Sequence, residues 1–577
     1  MKFFKNVLAS MLGFWLAFII IILIGGIILA GIAMDDSVEV KNNSILELNF
    51  DGPIKDYVST EQDAFNNVFK MDDQIGFNQI LRLIQRAKND SKIKAISIKK
   101  IPLNIGWAQT TELRDELQSF KQTGKKVWAY GDFYTQKHYY LASVADTLVL
   151  SPTGGVDLSG LHSETMFFKD FQKKYGFQME VIRHGKYKSA VEPYIANEMS
   201  DENREQISGL IHSIWNKVKV DIEASRKFDS EEIVTNLKGR LPTLALENKL
   251  VDNLQYEDDY TDQFKTSIGE NTNVVKVEDY IKTDISALNT ITKNKKIAVI
   301  YAQGDIIYGE GNEDRIGQDL MIKAIDEAVE NKKVKAIVLR INSPGGSALT
   351  SDLIWNAIEK AKKLKPVVVS MGNYAASGGY YIACNANKIY AEPTTITGSI
   401  GVFGVIPNAN KLAKNNGINS EVVSTHDNGA HYSVINPLNE KLESAIKDGV
   451  EFIYETFVDR VAQGRNMSTA AVDSIAQGRV WTGTQALKVG LVDNLGGIND
   501  AIVEAATLAE ITDYGIKEYP NYEMNLRNIL GGNPLLKVWQ SSESSTAKKV
   551  ADKFEKLQNM FQMEGIQARI PFELAIE

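Results

Sequence analysis

The sequence predicts an α/β protein built from two homologous halves that follow an N-terminal transmembrane helix. Three observations support this prediction: an uncharged apolar stretch near the N-terminus, strand-like runs that alternate with helical patterns, and an internal repeat. The chain has 577 residues, of which 44% are hydrophobic and 24% charged. This is the composition of a folded protein with room for several domains, so disorder, collagen and a disulfide-stapled miniprotein are excluded.

The N-terminal stretch is the first predicted element. Residues 6–34 carry no charge, and their number exceeds the roughly 20 apolar residues that cross a hydrocarbon core. A secretory signal has an apolar region of only about 7 to 15 residues, so a retained anchor is favoured over a cleaved peptide. Lys2 and Lys5 precede the stretch, and Asp35 and Asp36 follow it. This asymmetry predicts a cytoplasmic N-terminus and an extracytoplasmic remainder.

An internal repeat divides the rest of the chain. Residues 92–96 resemble 333–337, and the run LVDNL at 250–254 returns at 491–495, both at an offset of 241 residues. Matches that share one offset over such a distance are hard to attribute to chance. The predicted segments are a membrane anchor (1–36), a first repeat domain (37–255), a linker (256–294), a second repeat domain (295–525) and a C-terminal helical extension (526–577).

Each half has the pattern of an α/β domain. In the second half, the apolar β-branched runs at 296–304, 336–342 and 366–374 end in turn residues, which predicts buried strands. Apolar residues at helical spacing, such as Ile322 and Ile325, lie between the first two runs. Strands that alternate with helices predict a layered α/β domain, and the first half has the same order.

One glycine-rich segment marks a candidate oxyanion site. In INSPGGS of the second half, Gly345 and Gly346 correspond to Asn104 and Ile105 of the first half. A turn needed only for structure should have survived in both halves, so we interpret the glycines as functional. Paired glycines after a strand can present two backbone N–H groups to a developing oxyanion.

A serine and a lysine are also distributed unequally between the halves. Ser399, in TGSIG of the second half, corresponds to Leu158, and Lys188, in YKSAVEPY of the first half, corresponds to Gly429. A serine hydroxyl becomes a nucleophile when a base removes its proton, and a lysine can be that base if burial lowers its pKa. The pattern therefore favours a nucleophile and a base contributed by different halves.

Several alternatives remain open from the residues alone. Lys186 and His184 lie close to Lys188 in sequence and are rival bases, whereas Ser377 and Ser343 are alternative nucleophiles. Hydrogen bonding of the base by Ser424 or Thr425 is a further hypothesis. No Gly-x-Ser-x-Gly elbow, HExxH zinc motif or Walker phosphate loop is present in the sequence.

Charge and cysteine content exclude other classes of protein. The chain has 73 acidic and 64 basic residues, for a net charge of -9. It has no basic stripe, which argues against a nucleic-acid partner. Cys384 is the only cysteine. An intramolecular disulfide and a metal site built from several thiolates are therefore impossible.

The motifs resemble those of the signal peptide peptidase A family, also called protease IV, in its long, duplicated form. The resemblance rests on YKSAVEPY, INSPGG, ASGGYY, TGSIGVFG, AQGRVWTG and LVDNLGG, and it extends over nearly the whole chain. It implies a crotonase-like or Clp-protease-like α/β fold in each half. It also implies that Ser399 is the nucleophile, that Lys188 is the general base, and that Gly345 and Gly346 belong to the oxyanion loop.

The same resemblance implies a setting for the activity. It implies a bowl-like homotetramer on the periplasmic side of the inner membrane. The implied substrates are signal-peptide remnants and other apolar peptides, and no cofactor or metal is implied. Two other classes of function stay open: a peptide-binding scaffold that has lost its chemistry, and a crotonase-like enzyme that processes acyl-CoA. The presence of both Ser399 and Lys188 weighs against the first, and the predicted extracytoplasmic location weighs against the second.

Overall fold

The computed structural model describes residues 6, 10–20, 40–49, 54–58, 75–100, 105–283, 293–426, 433–522 and 567–569. Residues 10–20 are helical. Within the described ranges, no helix has both the length and the apolar character that a membrane crossing requires. The rest of the predicted anchor and most of the predicted C-terminal extension lie outside the described residues.

The first half contains short strands and helices in alternation. Its strands are β1 (Ser44–Asn49), β2 (Ile93–Lys100), β3 (Lys126–Gly131), β4 (Thr147–Leu150), β5 (Gln178–Arg183), β6 (Asn253–Leu254) and β7 (Asn273–Lys276). Its helices are α1 (Phe77–Asn89), α2 (Trp107–Lys121), α3 (Gln136–Ala142), α4 (Lys169–Tyr175), α5 (Glu192–Ile195), α6 (Asp201–Arg226), α7 (Ser230–Thr235), α8 (Pro242–Glu247), α9 (Glu257–Ile268) and α10 (Val277–Lys282). A 3₁₀ turn at Ser189–Val191 precedes α5.

The second half repeats this alternation and adds further strands. Its strands are β8 (Lys296–Gln303), β9 (Asp305–Ile307), β10 (Gly311–Asn312), β11 (Arg315–Gly317), β12 (Val334–Ser343), β13 (Gly345–Ser347), β14 (Val367–Ala376), β15 (Lys388–Ala391), β16 (Ile396–Gly398), β17 (Phe403–Asn408), β18 (Val480–Thr482), β19 (Asn494–Leu495) and β20 (Gly515–Tyr519). Its helices are α11 (Gln318–Glu330), α12 (Ala348–Lys362), α13 (Gly378–Ala383), α14 (Asn410–Asn415), α15 (Glu440–Arg465), α16 (Thr469–Ile475), α17 (Gly483–Lys488) and α18 (Ile498–Leu508). A last strand, β21 (Gln567–Arg569), lies near the C-terminus.

The two halves share one sheet topology. The parallel strands of the first half are ordered β6-β4-β3-β2-β1-β7, and those of the second half are ordered β19-β15-β14-β12-β8-β20. Strands β2, β3, β4 and β6 each begin 241 residues before β12, β14, β15 and β19, respectively. The predicted α/β class and the internal repeat are therefore confirmed.

The central strands of the second sheet are apolar because both of their faces are buried. Neighbouring side chains of a strand point to opposite faces. Ile337 and Leu339 of β12 accordingly lie in the core of the second half. Val338, which lies between them, packs in a cluster with Leu113 of α2 and other residues of the first half. The two halves therefore share a continuous apolar interface, as expected for a parallel sheet that is covered on both sides.

A buried ion network also joins the halves. Arg340, on β12, contacts two carboxylates of the first half. Its Nε lies 3.2 Å from Asp56 Oδ2, and its Nη2 lies 2.8 Å from Glu112 Oε2. Burial disfavours the charge on Arg340, but the two carboxylates outweigh this effect and raise the pKa of the guanidinium. Ser370 accepts a further hydrogen bond from Arg340 Nη1 at 2.8 Å. The arginine thus stays charged between acidic groups of the other half.

Much of the predicted linker at 256–294 is folded onto the first half. Tyr260 and Phe264 of α9 pack on Trp128, with ring centroids 6.1 and 4.6 Å from that of the indole. Strand β7 extends the first sheet by pairing with β1. The buried side chains of α9 are these two aromatic residues. The apolar pattern of the segment is weak because so few of its residues are buried.

A third, mixed sheet combines strands from both halves in the order β10-β11-β9-β13-β21-β17-β5. Strand β17 pairs antiparallel with β5, so that Phe403 lies opposite Arg183. This pairing is not duplicated by the repeat. Residues 162–167, which correspond to β17, and residues 419–424, which correspond to β5, form no strand. Strand β21 pairs with both β13 and β17. The described part of the predicted C-terminal helical extension is therefore a strand, and the rest of that extension lies outside the described residues.

Candidate active site

The pairing of β5 with β17 brings Lys188 to Ser399. Lys188 follows the end of β5, and Ser399 precedes the start of β17. Lys188 Nζ lies 3.0 Å from Ser399 Oγ and 3.2 Å from the Ser399 carbonyl oxygen. Both residues are fully buried. The structure thus places the two residues predicted from opposite halves within hydrogen-bond distance of each other.

The backbone around Lys188 is held by residues from both halves. The Tyr187 N–H donates to the Gln477 carbonyl at 2.9 Å. Gln206 Nε2 donates to the Tyr187 carbonyl at 3.0 Å, and Arg183 Nη1 donates to the Lys188 carbonyl at 3.1 Å. These bonds fix the point from which the lysine side chain extends toward Ser399.

Two glycines make room for the lysine side chain. Gly478 has a φ of +80°, and a β-carbon there would lie 2.6 Å from Lys188 Cβ. A β-carbon at Gly401 would lie 3.3 Å from Lys188 Cδ. Only glycine permits this close approach of backbone to the lysine chain. The contact with Lys188 explains Gly478, the first glycine of the AQGRVWTG motif, for which the sequence suggested no specific role.

Burial changes the acid–base chemistry of Lys188. Desolvation lowers the pKa of its amine well below the ordinary value for lysine, because an ammonium group is disfavoured away from water. The aromatic ring of Phe403 lies beside the amine, with its centroid 5.8 Å from Nζ. The lysine can therefore be neutral, as a general base must be, at a pH far below the usual range.

Ser399 has an unusual backbone conformation. Its φ is +52°, in the left-handed region that side chains rarely adopt. The conformation is held by a hydrogen bond of 2.7 Å from the Ser399 N–H to the Arg479 carbonyl. Strained residues of this kind cluster at functional sites, where the surrounding structure compensates their cost.

One of the two alternative nucleophiles also reaches the lysine. Ser377 Oγ lies 2.9 Å from Lys188 Nζ. The other alternative, Ser343, donates to the Gly304 carbonyl at 2.6 Å and accepts from the Gly345 N–H at 3.2 Å. Ser343 therefore stabilises the turn before the glycines, whereas Ser377 belongs to the site.

The rival bases make other contacts. Lys186 is exposed, and its Nζ lies 5.1 Å from the centroid of the Tyr187 ring. His184 Nδ1 lies 2.5 Å from Glu451 Oε2, and its ring stacks on Tyr454 with centroids 3.7 Å apart. The geometry favours Lys188 over both.

The hydroxyls suggested as partners of the base contact a histidine instead. Ser424 Oγ donates to the His426 carbonyl at 2.8 Å. Thr425 Oγ1 lies 3.0 Å from His426 Nδ1. Besides Ser399, the residue that bonds the amine is Ser377, which the sequence suggested only as an alternative nucleophile. Its location directly before the paired glycines of ASGGYY was the available signal.

The predicted oxyanion glycines form strand β13. Gly346 pairs with Ile306 of β9, and a β-carbon at Gly346 would lie 2.0 Å from the Ile306 carbonyl oxygen. On its other side, β13 pairs antiparallel with β21, with Gly345 opposite Arg569. The close packing explains why glycine is needed here. The role of these N–H groups in an oxyanion hole stays a prediction.

Lys188→Met is expected to raise the free energy of unfolding at pH 7 by about 1 to 3 kcal/mol. Because burial lowers the pKa of Lys188 in the folded state, the folded chain binds this proton more weakly than the unfolded chain does, and this favours unfolding below pH 10.5. The gain should shrink as the pH approaches 10.5, the ordinary pKa of lysine, where the unfolded chain also loses the proton.

Thermal unfolding at pH 7 and pH 10 measures this effect. Lys186→Met is the matched control, since the exposed Lys186 should change stability by no more than about 0.5 kcal/mol. A Lys188→Met protein that is no more stable than wild type at pH 7 would contradict a burial cost at this lysine.

Comparisons with known proteins agree with the duplicated architecture. The model of "Peptidase family S49" matches residues 119–270 and 359–512, and that of "Clp protease" matches residues 289–396. The first family thus matches once in each half. The α/β fold of the second half is accordingly Clp-protease-like.

Several proteins of known name are similar over most of their length. "Protease 4" of Haemophilus influenzae is 32% identical over 526 residues, covering 86% of this chain and 85% of that protein. "Protease 4" of Salmonella typhi is 38% identical over 460 residues, covering 76% of this chain and 73% of that protein. "Serine protease SPPA, chloroplastic" of Arabidopsis thaliana is 31% identical over 487 residues, covering 82% and 70%.

These similarities decide between the classes of function that the sequence left open. A family match in both halves, together with relatives that cover most of the chain, favours a peptidase over a scaffold or an acyl-CoA enzyme. The chain belongs to peptidase family S49, in a duplicated form related to Protease 4, and it is a serine peptidase.

Proposed function

We propose that the protein is an endopeptidase with a Ser-Lys dyad that degrades cleaved signal peptides and similar apolar peptides. The observation that carries this proposal is a buried lysine amine with a lowered pKa within hydrogen-bond distance of serine hydroxyls, 3.0 Å from Ser399 Oγ and 2.9 Å from Ser377 Oγ. The motif resemblance selects Ser399 as the nucleophile. A neutral amine at this distance can take the serine proton directly.

The proposed reaction is acyl transfer in two steps. Neutral Lys188 removes the proton from Ser399 Oγ as the oxygen forms a bond to the peptide carbonyl carbon. In this proposal the N–H groups of Gly345 and Gly346 stabilise the resulting oxyanion, which requires the Gly345 N–H to turn from Ser343 Oγ, its acceptor in the structure. The Lys188 ammonium then donates its proton to the leaving amine as the peptide bond breaks. In the second step, Lys188 takes a proton from water as the water oxygen attacks the acyl carbon. Lys188 then returns this proton to Ser399 Oγ as the ester bond breaks and the carboxyl product leaves.

Two features of the site support an extended apolar peptide as substrate. Strands β13 and β17 both pair with the short strand β21, so their edges can accept an extended backbone in this region. Ala190, Val191 and Phe403 form a small apolar cluster next to Lys188. Backbone pairing tolerates many sequences, and an apolar surface favours apolar side chains. The choice of signal peptides rests on the motif resemblance.

We further propose that residues 1–36 anchor the protein in the inner membrane, with a cytoplasmic N-terminus and a periplasmic catalytic part. The uncharged stretch and its flanking charges support this arrangement. The motif resemblance supports a homotetramer and gives no reason to expect a cofactor, a metal or a nucleic-acid partner. Protease accessibility in spheroplasts tests the orientation, and light scattering of the detergent-solubilised chain tests the oligomeric state.

The activity of the full-length protein is expected to rise toward alkaline pH. Only the neutral form of Lys188 can accept the serine proton, so kcat/KM should follow the deprotonated fraction of this amine. Because burial lowers the pKa of the amine, the rise should begin far below the titration range of an ordinary lysine. Hydrolysis of a synthetic signal peptide between pH 6 and pH 10 measures the profile. A flat profile from pH 6 to pH 9 would argue against lysine as the base.

A further inference from the structure

We infer that Gln206 is a positioning residue, whose buried amide holds the base segment (residues 184–189) against the sheet that carries the serines. This inference rests on the proposed role of Lys188 as the base and goes beyond it, because it gives a role to a side chain that is no part of the dyad. The Lys188 amine lies 2.9 Å from Ser377 Oγ and 3.0 Å from Ser399 Oγ. Gln206 acts through that amine, so its role does not depend on which hydroxyl the amine deprotonates.

The Gln206 amide bonds to both neighbours of Lys188 in the chain. Gln206 lies on α6 of the first half and is 4% exposed. Its Nε2 donates to the Tyr187 carbonyl at 3.0 Å and to Ser189 Oγ at 2.8 Å. A third acceptor, Asn203 Oδ1 on the same helix, lies 3.1 Å from Nε2. The amide has two N–H donors for these three acceptors, and the two shorter contacts are those on either side of the lysine.

The other end of the same amide reaches the second half. Gln206 Oε1 accepts a hydrogen bond from the Val480 N–H at 3.3 Å. Val480 is the first residue of β18 and lies opposite Gly398 of β16 in the antiparallel pairing. Gly398 directly precedes Ser399, and its carbonyl accepts the Ser377 N–H at 2.8 Å. One side chain therefore connects the backbone on both sides of the base to the strand pair next to both serines.

The neighbours also fix the orientation of the Gln206 amide. The Val480 N–H can only donate and the Tyr187 carbonyl can only accept, so Oε1 faces β18 and Nε2 faces the base segment. A flipped amide would place two donors together and two acceptors together, which would leave both pairs without a hydrogen bond. The amide therefore has one favourable arrangement, and this arrangement keeps the base segment at a set distance from β18.

The glutamine occurs in the half that supplies the lysine and is missing at the matching place in the other half. Helix α15 is the counterpart of α6, since both helices have 26 residues and both end in an arginine. Gln206 is the sixth residue of α6, and the sixth residue of α15 is Ala445, which is exposed. The second half has no lysine to hold, because Lys188 corresponds to Gly429. The glutamine thus accompanies the lysine and is not required by the helix itself.

Two further contacts hold α6 on the second half outside the base segment. Gln485 Nε2 donates to the Gly209 carbonyl at 3.1 Å, and Ser213 Oγ lies 2.7 Å from Thr482 Oγ1. Helical spacing puts both contacts on the same face of α6 as Gln206. This face provides a matched control. Ser213→Ala weakens the same contact between the halves but leaves the bonds to the base segment in place.

Gln206→Met and Gln206→Glu should lower kcat per active site by about 10 to 100-fold and leave KM within about twofold of the wild-type value. Methionine is similar in length to glutamine but forms none of its hydrogen bonds. Glutamate keeps an acceptor for the Val480 N–H but, as a carboxylate, cannot donate to the Tyr187 carbonyl. In both variants the base segment can shift, so a smaller fraction of amines is aligned with a serine hydroxyl.

The experiment uses full-length wild type, both Gln206 variants, Ser213→Ala and Lys188→Ala. A fluorophosphonate probe gives the final fraction of labelled chains, which counts intact sites, and the rate constant of labelling, which reports the reactivity of the serine. Hydrolysis of a synthetic signal peptide at the alkaline plateau gives kcat and KM. A merely structural role would lower the labelled fraction and the melting temperature but not the rate constant. Gln206→Glu keeps the shape of the side chain, so it preserves the test if the methionine variant fails to fold.

The rate constants separate the inference from the proposed function. We expect complete labelling in both Gln206 variants at a rate about 10 to 100-fold below that of wild type, and a wild-type rate in Ser213→Ala. Gln206 variants with the wild-type rate constant and kcat would overturn the positioning role and leave the dyad intact. An equal loss in Ser213→Ala would also overturn it, because the effect would then belong to the whole contact of α6. An active Lys188→Ala protein, or an unlabelled and inactive wild type, would overturn the proposed function and, with it, this inference.

Discussion

Ser399→Ala and Lys188→Ala are each expected to lower kcat/KM for a synthetic signal peptide by about 10,000-fold or more. The first variant lacks the atom that is proposed to form the acyl-enzyme. The second leaves the serine hydroxyl without a base, because Lys188 Nζ is the amine within hydrogen-bond distance of Ser399 Oγ. KM should change far less than kcat, since neither side chain is proposed to bind the distant parts of the peptide.

The double variant and a neighbouring lysine make this prediction sharper. Ser399→Ala combined with Lys188→Ala should be no worse than either single change, because the two residues act as one unit. Lys186→Ala should keep wild-type activity, since Lys186 is exposed and lies over the Tyr187 ring. If Lys188→Ala keeps substantial activity while folded, the base is another residue, with Lys186 and His184 as the first candidates.

Arg340→Leu is expected to destabilise the protein by about 3 to 5 kcal/mol. The substitution leaves Asp56 and Glu112 buried at the interface of the two halves without their cation. Removal of one partner from a buried ion network is costly because the remaining charges have no water to solvate them. Activity should also fall at urea concentrations that wild type tolerates, since Lys188 and Ser399 belong to different halves.

An exposed arginine provides the matched control. Arg240 forms an ion pair with Asp157, and the two side chains are 59% and 40% exposed. Arg240→Leu should change stability by no more than about 1 kcal/mol, because solvent screens exposed pairs. Urea midpoints, followed by tryptophan fluorescence and by residual activity, compare the two variants. Equal midpoints for Arg340→Leu and Arg240→Leu would show that the buried network does not hold the halves together.

The repeat was predictable because it leaves a direct trace in the sequence. Strands β12, β14 and β15 are continuous apolar runs, and their counterparts in the first half lie at one constant offset. The segment at 256–294 was harder to interpret. Its helix α9 buries only Tyr260 and Phe264, so the contacts that attach it to Trp128 produce almost no periodic pattern. Weak amphipathicity here reflects limited burial in a folded segment.

The candidate residues of the site were predictable for a different reason. Ser399 and Lys188 each lack a counterpart in the other half, and this asymmetry is visible without any coordinates. Comparing the halves did not rank Ser377 against Ser399, because Ser377 corresponds to Gln136 and so lacks a counterpart as well. Both hydroxyls reach the Lys188 amine in the folded protein, and contacts of this kind have no signature in residue spacing.

Residue order was therefore enough to establish the α/β class and the duplication, and to predict Ser399 and Lys188 as candidate site residues, because periodicity and asymmetry between repeats are properties of the chain itself. The proximity of the two side chains required the antiparallel pairing of β5 with β17. The chemistry of the lysine required its enclosure by Gly478 and its neighbours. The pKa of an amine depends on how much water surrounds it, and in this protein segments distant in sequence exclude that water only after the two halves have packed together.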